Sequence, residues 1–145
     1  MYIMRAVRWA PFLIAASTLA WCKPIQIPGL TSIPTPPGIN VSFNGKKVKS
    51  FRCHKSLRVP LQAALKCVVK RGHASALHTY AGCYCYRNIR GTNRLSNHAH
   101  GKALDLNVGL PMHSGIVTCF KEAGFRWGGD WKTPDIMHFE LKGRG

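Results

Sequence analysis

The sequence predicts a single α+β domain, built from a small antiparallel sheet and two main helices. Its 145 residues are enough for one domain with a modest hydrophobic core. Strand-like and helix-like segments follow one another without the regular strand–helix–strand order of a parallel sheet. The sequence also contains no internal repeat, so an array of stacked units is not expected.

The first 38 residues predict two segments that precede this domain. Residues 1–20 have the features of a signal peptide or short N-terminal anchor: Arg5 and Arg8 come before an apolar stretch too short to span a bilayer stably. Residues 21–38 are predicted to be a Pro-rich linker, and residues 39–145 the folded domain. We therefore expect export to the periplasm, the cell wall or the extracellular space, with no stable membrane span.

The predicted domain begins with a β-hairpin and a helix. Asn44-Gly45 lies between alternating residues, which is a strong hairpin signal. Residues 56–72 predict a helix, with Pro60 in its first turn and Gly72 at its end. The apolar face of this helix consists of Leu57, Leu61, Leu65 and Val68.

Four further elements complete the predicted domain. Residues 75–86 and 103–109 are strand-like, residues 113–124 predict a short helix, and residues 135–141 form the closing strand. Side chains alternate between the two faces of a strand. In the closing strand, Met137, Phe139 and Leu141 therefore face the core, whereas His138 and Glu140 share the opposite face.

The cysteines predict disulfides. An exported chain forms disulfides readily, and the even number of cysteines would allow three of them. Cys83 and Cys85 lack a second, similarly spaced pair, which disfavours a zinc ribbon. The sequence leaves the pairing open among Cys22, Cys53, Cys67, Cys83, Cys85 and Cys119.

The charge predicts an anionic partner. Lysine and arginine number 21 against five acidic residues, giving a formal net charge of +16. Such a charge bears on solubility and partners rather than on fold. Nucleic acid, anionic lipid and anionic cell-wall polymers are all candidates, but the basic residues are spread along the chain and no nucleic-acid-binding motif accompanies them, so no specific nucleic acid is expected. We expect the protein to be a monomer.

A short motif indicates a metal site. The pattern S-x-H-x-x-G-x-A-x-D is formed by Ser96, His98, Gly101, Ala103 and Asp105. The glycine allows a tight turn after the histidine, and the alanine leaves the approach to the aspartate open. Together with His138, this pattern offers two imidazoles and one carboxylate. Three protein ligands leave one position open on a zinc ion, as in catalytic zinc sites.

With these motifs, the sequence resembles the zinc peptidases that cut peptidoglycan stem peptides. This is the D-Ala-D-Ala carboxypeptidase and L-alanyl-D-glutamate endopeptidase family, which includes phage endolysins. The resemblance covers roughly residues 40–142 and rests on "YRNIRG", "LSNHAHGKALDLN" and "GFRWGGDWKTPDIMHFEL". It implies a hedgehog/D-Ala-D-Ala peptidase-like fold with a zinc site in the cleft.

The resemblance also implies roles for individual residues. His98, Asp105 and His138 match the zinc ligands. Asp135 matches the acidic general base that lies three residues before the last ligand. Arg87 matches the arginine that contacts substrate near the reacting carbonyl.

The roles of other residues near these motifs are less well defined. We expect Ser96 and Trp131 to help form the substrate site, with Ser96 supporting the motif and Trp131 lining the cleft. His100 falls at a variable position of the pattern and is not expected to be a ligand. Glu140 either orients a ligand or is a solvated carboxylate, and the sequence does not distinguish these.

The resemblance implies a zinc-dependent peptidase that hydrolyses amide bonds of peptidoglycan stem peptides. Cleavage between L-Ala and D-Glu is preferred, and D-Ala-D-Ala carboxypeptidase activity is the alternative. A non-catalytic, zinc-containing module that binds the cell wall is a second alternative. A third is a cationic membrane- or polymer-binding protein, in which the His/Asp pattern has no metal role.

Overall fold

The computed structural model describes residues 22–143, which form an α+β domain as predicted. The predicted signal segment, residues 1–20, lies outside the described residues. The helices are α1 (Arg58–Lys70) and α2 (Ser114–Glu122). The strands are β1 (Leu30–Pro34), β2 (Ser42–Phe43), β3 (Lys46–Lys47), β4 (Ser50–His54), β5 (Tyr80–Gly82), β6 (Ala103–Leu106), β7 (Phe125–Trp127) and β8 (His138–Leu141).

The strands form three antiparallel sheets. Strand β1 pairs with β4, β2 pairs with β3, and the remaining four strands form a sheet in the order β5-β6-β8-β7. The four-stranded sheet therefore places β6 and β8 at its centre, although a helix and a strand separate them along the chain. This central pair carries the motif aspartate and the closing histidine.

The structure corrects the predicted Pro-rich linker at residues 21–38. Residues 30–34 form β1, whose Ile33 pairs with Phe51 of β4 and is fully buried. Pro34 is the last residue of this edge strand, where the missing N–H costs no ladder hydrogen bond. The Pro-rich segment thus contains a strand, and the folded domain begins before residue 39, the predicted boundary.

The hairpin and the first helix agree with their predictions. Asn44 and Gly45 have φ values of 48° and 76°, the left-handed conformation that a tight two-residue turn between β2 and β3 requires. Helix α1 ends before Gly72, whose φ of 77° is disfavoured for other residues. Its predicted apolar face, Leu57, Leu61, Leu65 and Val68, is fully buried.

The core lies between the helices and one face of the four-stranded sheet. Phe120 of α2 contacts Phe125 of β7 and Phe139 of β8, with ring centroids 5.2 Å and 4.5 Å apart. The disulfide between Cys67 and Cys119 joins the two helices across this core. Because Phe139 faces the helices, the alternation along β8 turns His138 and Glu140 towards the opposite face.

The segment after β5 is less regular than predicted. Residues 75–86 are predicted as one strand, but β5 comprises only Tyr80–Gly82 and its register shifts at that point. Two disulfides then hold the following residues, pairing Cys53 with Cys83 and Cys22 with Cys85. Disulfides of this number are typical of exported proteins. Among the described residues, no helix is both long and apolar enough to cross a membrane.

Candidate metal centre

The centre is built on the β6–β8 pair and on the turn that precedes β6. Asp105 and His138 are directly opposite one another in these two strands. His98 lies in the 3₁₀ turn Asn97–His100, which leads into β6. Two of the three residues are therefore held by a sheet and the third by a short turn packed against it.

The turn has its own local supports. Ser96 Oγ accepts a hydrogen bond from the His98 backbone N–H at 3.2 Å and so caps the turn. Gly101 ends it with a φ of 64°. A Cβ at this glycine would lie 2.7 Å from the backbone nitrogen of His54, so a larger residue would clash. The structure thus explains why the motif needs glycine here.

The His98 ring is oriented by the main chain. Its Nδ1 lies 2.9 Å from the carbonyl oxygen of Cys83, and the His98 carbonyl accepts a hydrogen bond from Cys85 N–H at 3.0 Å. When Nδ1 donates to that carbonyl, Nε2 is left without a proton and can serve as a ligand.

Three side-chain atoms converge at the centre. His98 Nε2 and His138 Nδ1 each lie 3.3 Å from Asp105 Oδ1. The candidate ligand atoms of these three residues all lie within 4.8 Å of one another. The two imidazole rings are nearly perpendicular, with centroids 5.1 Å apart. Both histidines are buried, and Asp105 is largely buried.

The three side chains also perturb one another's ionisation. Burial favours the neutral acid at Asp105, but the adjacent imidazoles of His138 and His98 outweigh it and hold the pKa of Asp105 well below its usual range. Burial likewise opposes protonation of His138. The neighbouring carboxylates of Asp105 and Glu140 reverse this and raise the pKa of His138 to about 9. The centre therefore strongly favours a positive charge beside Asp105.

These residues fit a divalent metal ion. His98 Nε2 and Asp105 Oδ1 are buried polar atoms without a hydrogen-bond partner among the described residues. Such atoms are costly unless a further group satisfies them. Two imidazole nitrogens and one carboxylate oxygen form a donor set that suits zinc and leaves one position open.

Asp135 is fixed by the loop that precedes β8. Its backbone N–H donates to the Gly128 carbonyl at 2.8 Å, and its carbonyl accepts from His138 N–H at 3.2 Å. A Cβ at Gly128 would lie 2.4 Å from the Asp135 carbonyl oxygen, so only glycine allows this approach. Asp135 is half-buried, and its carboxylate has no hydrogen-bond partner within residues 22–143. Asp135 thus lies beside the centre but is not one of the three residues whose side-chain atoms converge there.

The remaining predicted site residues lie around the centre. Trp131 is 38% exposed, and its ring centroid lies 5.0 Å from that of His138. Arg87 is half-exposed, and its carbonyl accepts a hydrogen bond from Ser96 N–H at 3.0 Å, which ties it to the turn. Ser96 is only 5% exposed, and its Oγ is the cap of the turn.

Sequence reasoning did not identify the partners of the buried Glu140. Arg126 pairs with its Oε1 at 3.0 Å, and Asn97 donates a hydrogen bond to its Oε2. Burial raises the pKa of Glu140, but the adjacent His138 imidazole and a hydrogen bond from Asn97 outweigh this effect and lower it overall. Arg126 carried no sequence signal, because its position opposite Glu140 depends on the order of the strands. The carbonyl of Cys83 likewise carried none, since it belongs to the main chain.

A comparison with known protein families gives a match in the part of the chain that contains this centre. Residues 90–141 match the family model described as D-alanyl-D-alanine carboxypeptidase. The matched segment includes His98, Asp105, Asp135 and His138, whereas Arg87 precedes it. The match confirms the predicted family resemblance and supports a peptidase related to peptidoglycan. No curated protein matches the chain.

Proposed function

Starting from this family similarity, we propose that the protein is a zinc-dependent peptidase that hydrolyses amide bonds in peptidoglycan stem peptides. One observation carries the proposal. His98 Nε2 and His138 Nδ1 converge on Asp105 Oδ1, and two of these three buried atoms have no hydrogen-bond partner among the described residues. A divalent metal ion would satisfy these buried atoms together, which favours a metal site over a cationic protein in which the His/Asp pattern has no metal role.

In this proposal, His98, Asp105 and His138 hold the zinc ion. When bound, zinc acts as a Lewis acid and lowers the pKa of a coordinated water to about 7. Contacts within the protein hold the three ligand side chains in place, which favours a site that is formed before the metal binds. The Cys83 carbonyl orients His98, and direct strand pairing fixes Asp105 relative to His138.

Asp135 is the proposed general base. Its carboxylate would take the proton of the attacking water and later give it to the leaving amine. Two facts support this role. The backbone contacts of Asp135 to Gly128 and His138 hold it beside the last ligand, and its carboxylate has no competing hydrogen bond within the described part of the chain. An acceptor that is already paired would be a poorer base.

Arg87 and Trp131 are the proposed substrate contacts. Arg87 can stabilise the negative charge that develops on the scissile carbonyl, or bind a stem-peptide carboxylate through two parallel hydrogen bonds. Its connection to Ser96 places its backbone next to the turn that carries His98. The partly exposed Trp131 ring, close to His138, offers an apolar wall for the substrate.

We propose the bond between L-Ala and D-Glu as the scissile bond, on the resemblance of the motif spacing to that branch of the family. The second candidate is D-Ala-D-Ala carboxypeptidase activity, which the description of the matched family favours. On the same resemblance, we propose that the domain has the hedgehog/D-Ala-D-Ala peptidase-like fold.

The proposed setting is the cell wall. The net charge of +16 favours anionic wall polymers as the macromolecular partner. Three disulfides favour an oxidising compartment. We propose that the protein acts there as a monomer after export.

Mass spectrometry of a defined soluble stem peptide tests the proposed reaction. The peptide contains both an L-Ala–D-Glu bond and a D-Ala-D-Ala end, so each activity gives products of a different mass. An endopeptidase releases L-Ala or its N-terminal conjugate, whereas a carboxypeptidase releases D-Ala. If the zinc-loaded protein cuts neither bond, the peptidase proposal is wrong and a non-catalytic wall-binding module replaces it.

A further inference from the structure

We infer that Glu140 is a positioning residue that fixes the orientation of His138 for metal binding. The inference rests on the proposed zinc site and adds a residue to it. In this arrangement, His138 ligates the ion through Nδ1, and its Nε2–H donates to the Glu140 carboxylate.

The two nitrogens of His138 face two different carboxylates. Nδ1 lies 3.3 Å from Asp105 Oδ1, whereas Nε2 lies 3.5 Å from Glu140 Oε2. The Nε2 atom is buried and makes no hydrogen bond among residues 22–143, so its contact with Glu140 is a longer ion-pair contact. A proton on Nε2 would face the Glu140 carboxylate, and Nδ1 would then be free of its proton.

The strand geometry explains why Glu140 reaches this atom. His138 and Glu140 are two residues apart in β8, so their side chains leave the same face of the sheet. Ala103 of β6 is the direct partner of Glu140 and has only a methyl side chain. Phe139, between them, points into the core.

Glu140 itself is held by two other elements. Arg126 of β7 pairs with Oε1 at 3.0 Å, and Asn97, beside His98 in the ligand turn, donates to Oε2. The carboxylate is therefore anchored from both sides and is only 7% exposed. A buried carboxylate with fixed partners can hold an imidazole in one orientation. Carboxylate–histidine–metal arrangements of this kind tune the affinity of metal sites.

A structural role is the competing explanation, because Glu140 could simply tie β7 to the ligand turn. Two substitutions separate these roles. Glu140→Gln removes the charged acceptor beside His138. Arg126→Gln breaks the tie to β7 but leaves the carboxylate in place. Glu122→Gln makes the same charge change at an exposed ion pair with Arg71 and serves as the control.

Two readouts are measured on each protein: the zinc Kd, by competition with a chromophoric chelator, and the His138 ring tautomer, by long-range ¹H–¹⁵N correlation. We expect the zinc-loaded parent to show metal at Nδ1 and a proton at Nε2. Glu140→Gln should weaken zinc binding about 10–100-fold, Arg126→Gln should weaken it less because the carboxylate keeps its contact with Asn97, and Glu122→Gln should leave it unchanged.

Each contrary outcome overturns a defined statement. If the parent carries metal at Nε2 of His138, or if Glu140→Gln and Arg126→Gln weaken zinc equally, the positioning role is wrong while the zinc site stands. If the parent binds no zinc, the proposed function fails and this inference fails with it. The tautomer of the parent needs no substitution, so the inference remains testable even if a variant does not fold.

Discussion

Asp105 and His138 are direct partners across strands β6 and β8, with Asp105 Oδ1 3.3 Å from His138 Nδ1. Two candidate ligands from distant parts of the chain are thus held by backbone pairing at the centre of a four-stranded sheet. The third, His98, comes from a capped turn. Strand pairing is more rigid than a loop, so the site should retain its shape without a metal ion.

The first prediction concerns the ligands. His98→Ala or His138→Ala should reduce bound zinc from one ion per chain to almost none, because two remaining protein ligands do not hold zinc tightly. His100→Ala is the matched control, since this exposed histidine lies in the same turn as His98. Zinc content is measured by atomic emission after dialysis. Retention of zinc in both single variants would exclude these residues as ligands.

The second prediction concerns the base. Asp135→Asn should keep zinc and fold but lower turnover about 10²–10⁴-fold, because an amide cannot accept the proton of water. Asp130→Asn is the control, because this exposed aspartate pairs with Lys121 instead. Stem-peptide hydrolysis is measured for both variants at equal zinc occupancy. Parent-like turnover in Asp135→Asn would remove Asp135 from the mechanism.

The sequence allowed the local elements to be predicted because their signals are local. Asn44-Gly45 specifies a tight hairpin by its left-handed backbone, and the spacing of Leu57, Leu61 and Leu65 specifies one helical face. Strand β1 was not predicted, because the signal that defines it is not local. The prolines around it indicate a linker, whereas its pairing with β4 depends on residues far along the chain.

The site was predictable in part. The ligand motif and the closing histidine indicated the three converging residues. Their supports were not predictable, because they arise from strand order and main-chain contacts. Arg126 meets Glu140 only because β7 pairs with β8, and the Cys83 carbonyl meets His98 only through the tertiary fold. The disulfide pairing depends on the same distant contacts.

The third prediction uses the disulfides. The Cys53–Cys83 bridge holds the residue whose carbonyl orients His98, so its removal by a double serine substitution should weaken zinc binding. Removing the Cys67–Cys119 bridge between the helices should cost a similar stability, about 2–4 kcal/mol, and leave zinc affinity unchanged. Thermal unfolding and zinc Kd are measured for both. Equal zinc affinity in the two variants would contradict a specific role of the first bridge.

The fourth prediction concerns pH in the metal-free protein. The pKa of His138 is about 9, above the value of 6.5 for a free histidine. The folded chain thus binds an additional proton between these values. The resulting stability is fully present below pH 6.5 and is lost as pH rises through 9.

The Tm of chelator-treated protein should therefore fall across this interval. His138→Gln should show a smaller fall, because it lacks the titrating group. The zinc-loaded protein should not show this component, since metal binding replaces the proton. A Tm that rises across the same interval in the chelated parent, with no change in His138→Gln, would contradict the assignment.

The fifth prediction distinguishes binding of the protein to the cell wall from cleavage of the stem peptide. If the net charge of +16 gathers the protein on anionic walls, binding to whole walls should weaken steeply with salt, because such attraction is screened beyond about 8 Å at physiological ionic strength. Cleavage of a small soluble stem peptide should change much less, since it depends on local contacts such as Arg87. Both quantities are measured over one salt series. A parallel decrease, or wall binding that is insensitive to salt, would show that the charge is not a separate targeting device.

The most direct test of a zinc peptidase is a titration of activity against metal content. Purified peptidoglycan is incubated with chelated protein while zinc is added back stepwise, and new amino groups are counted as bonds are cut. We predict that amine release rises in proportion to zinc and stops increasing at one ion per chain, with none for His98→Ala. Full activity in the chelated protein, or one bound zinc with no amine release, would contradict the account.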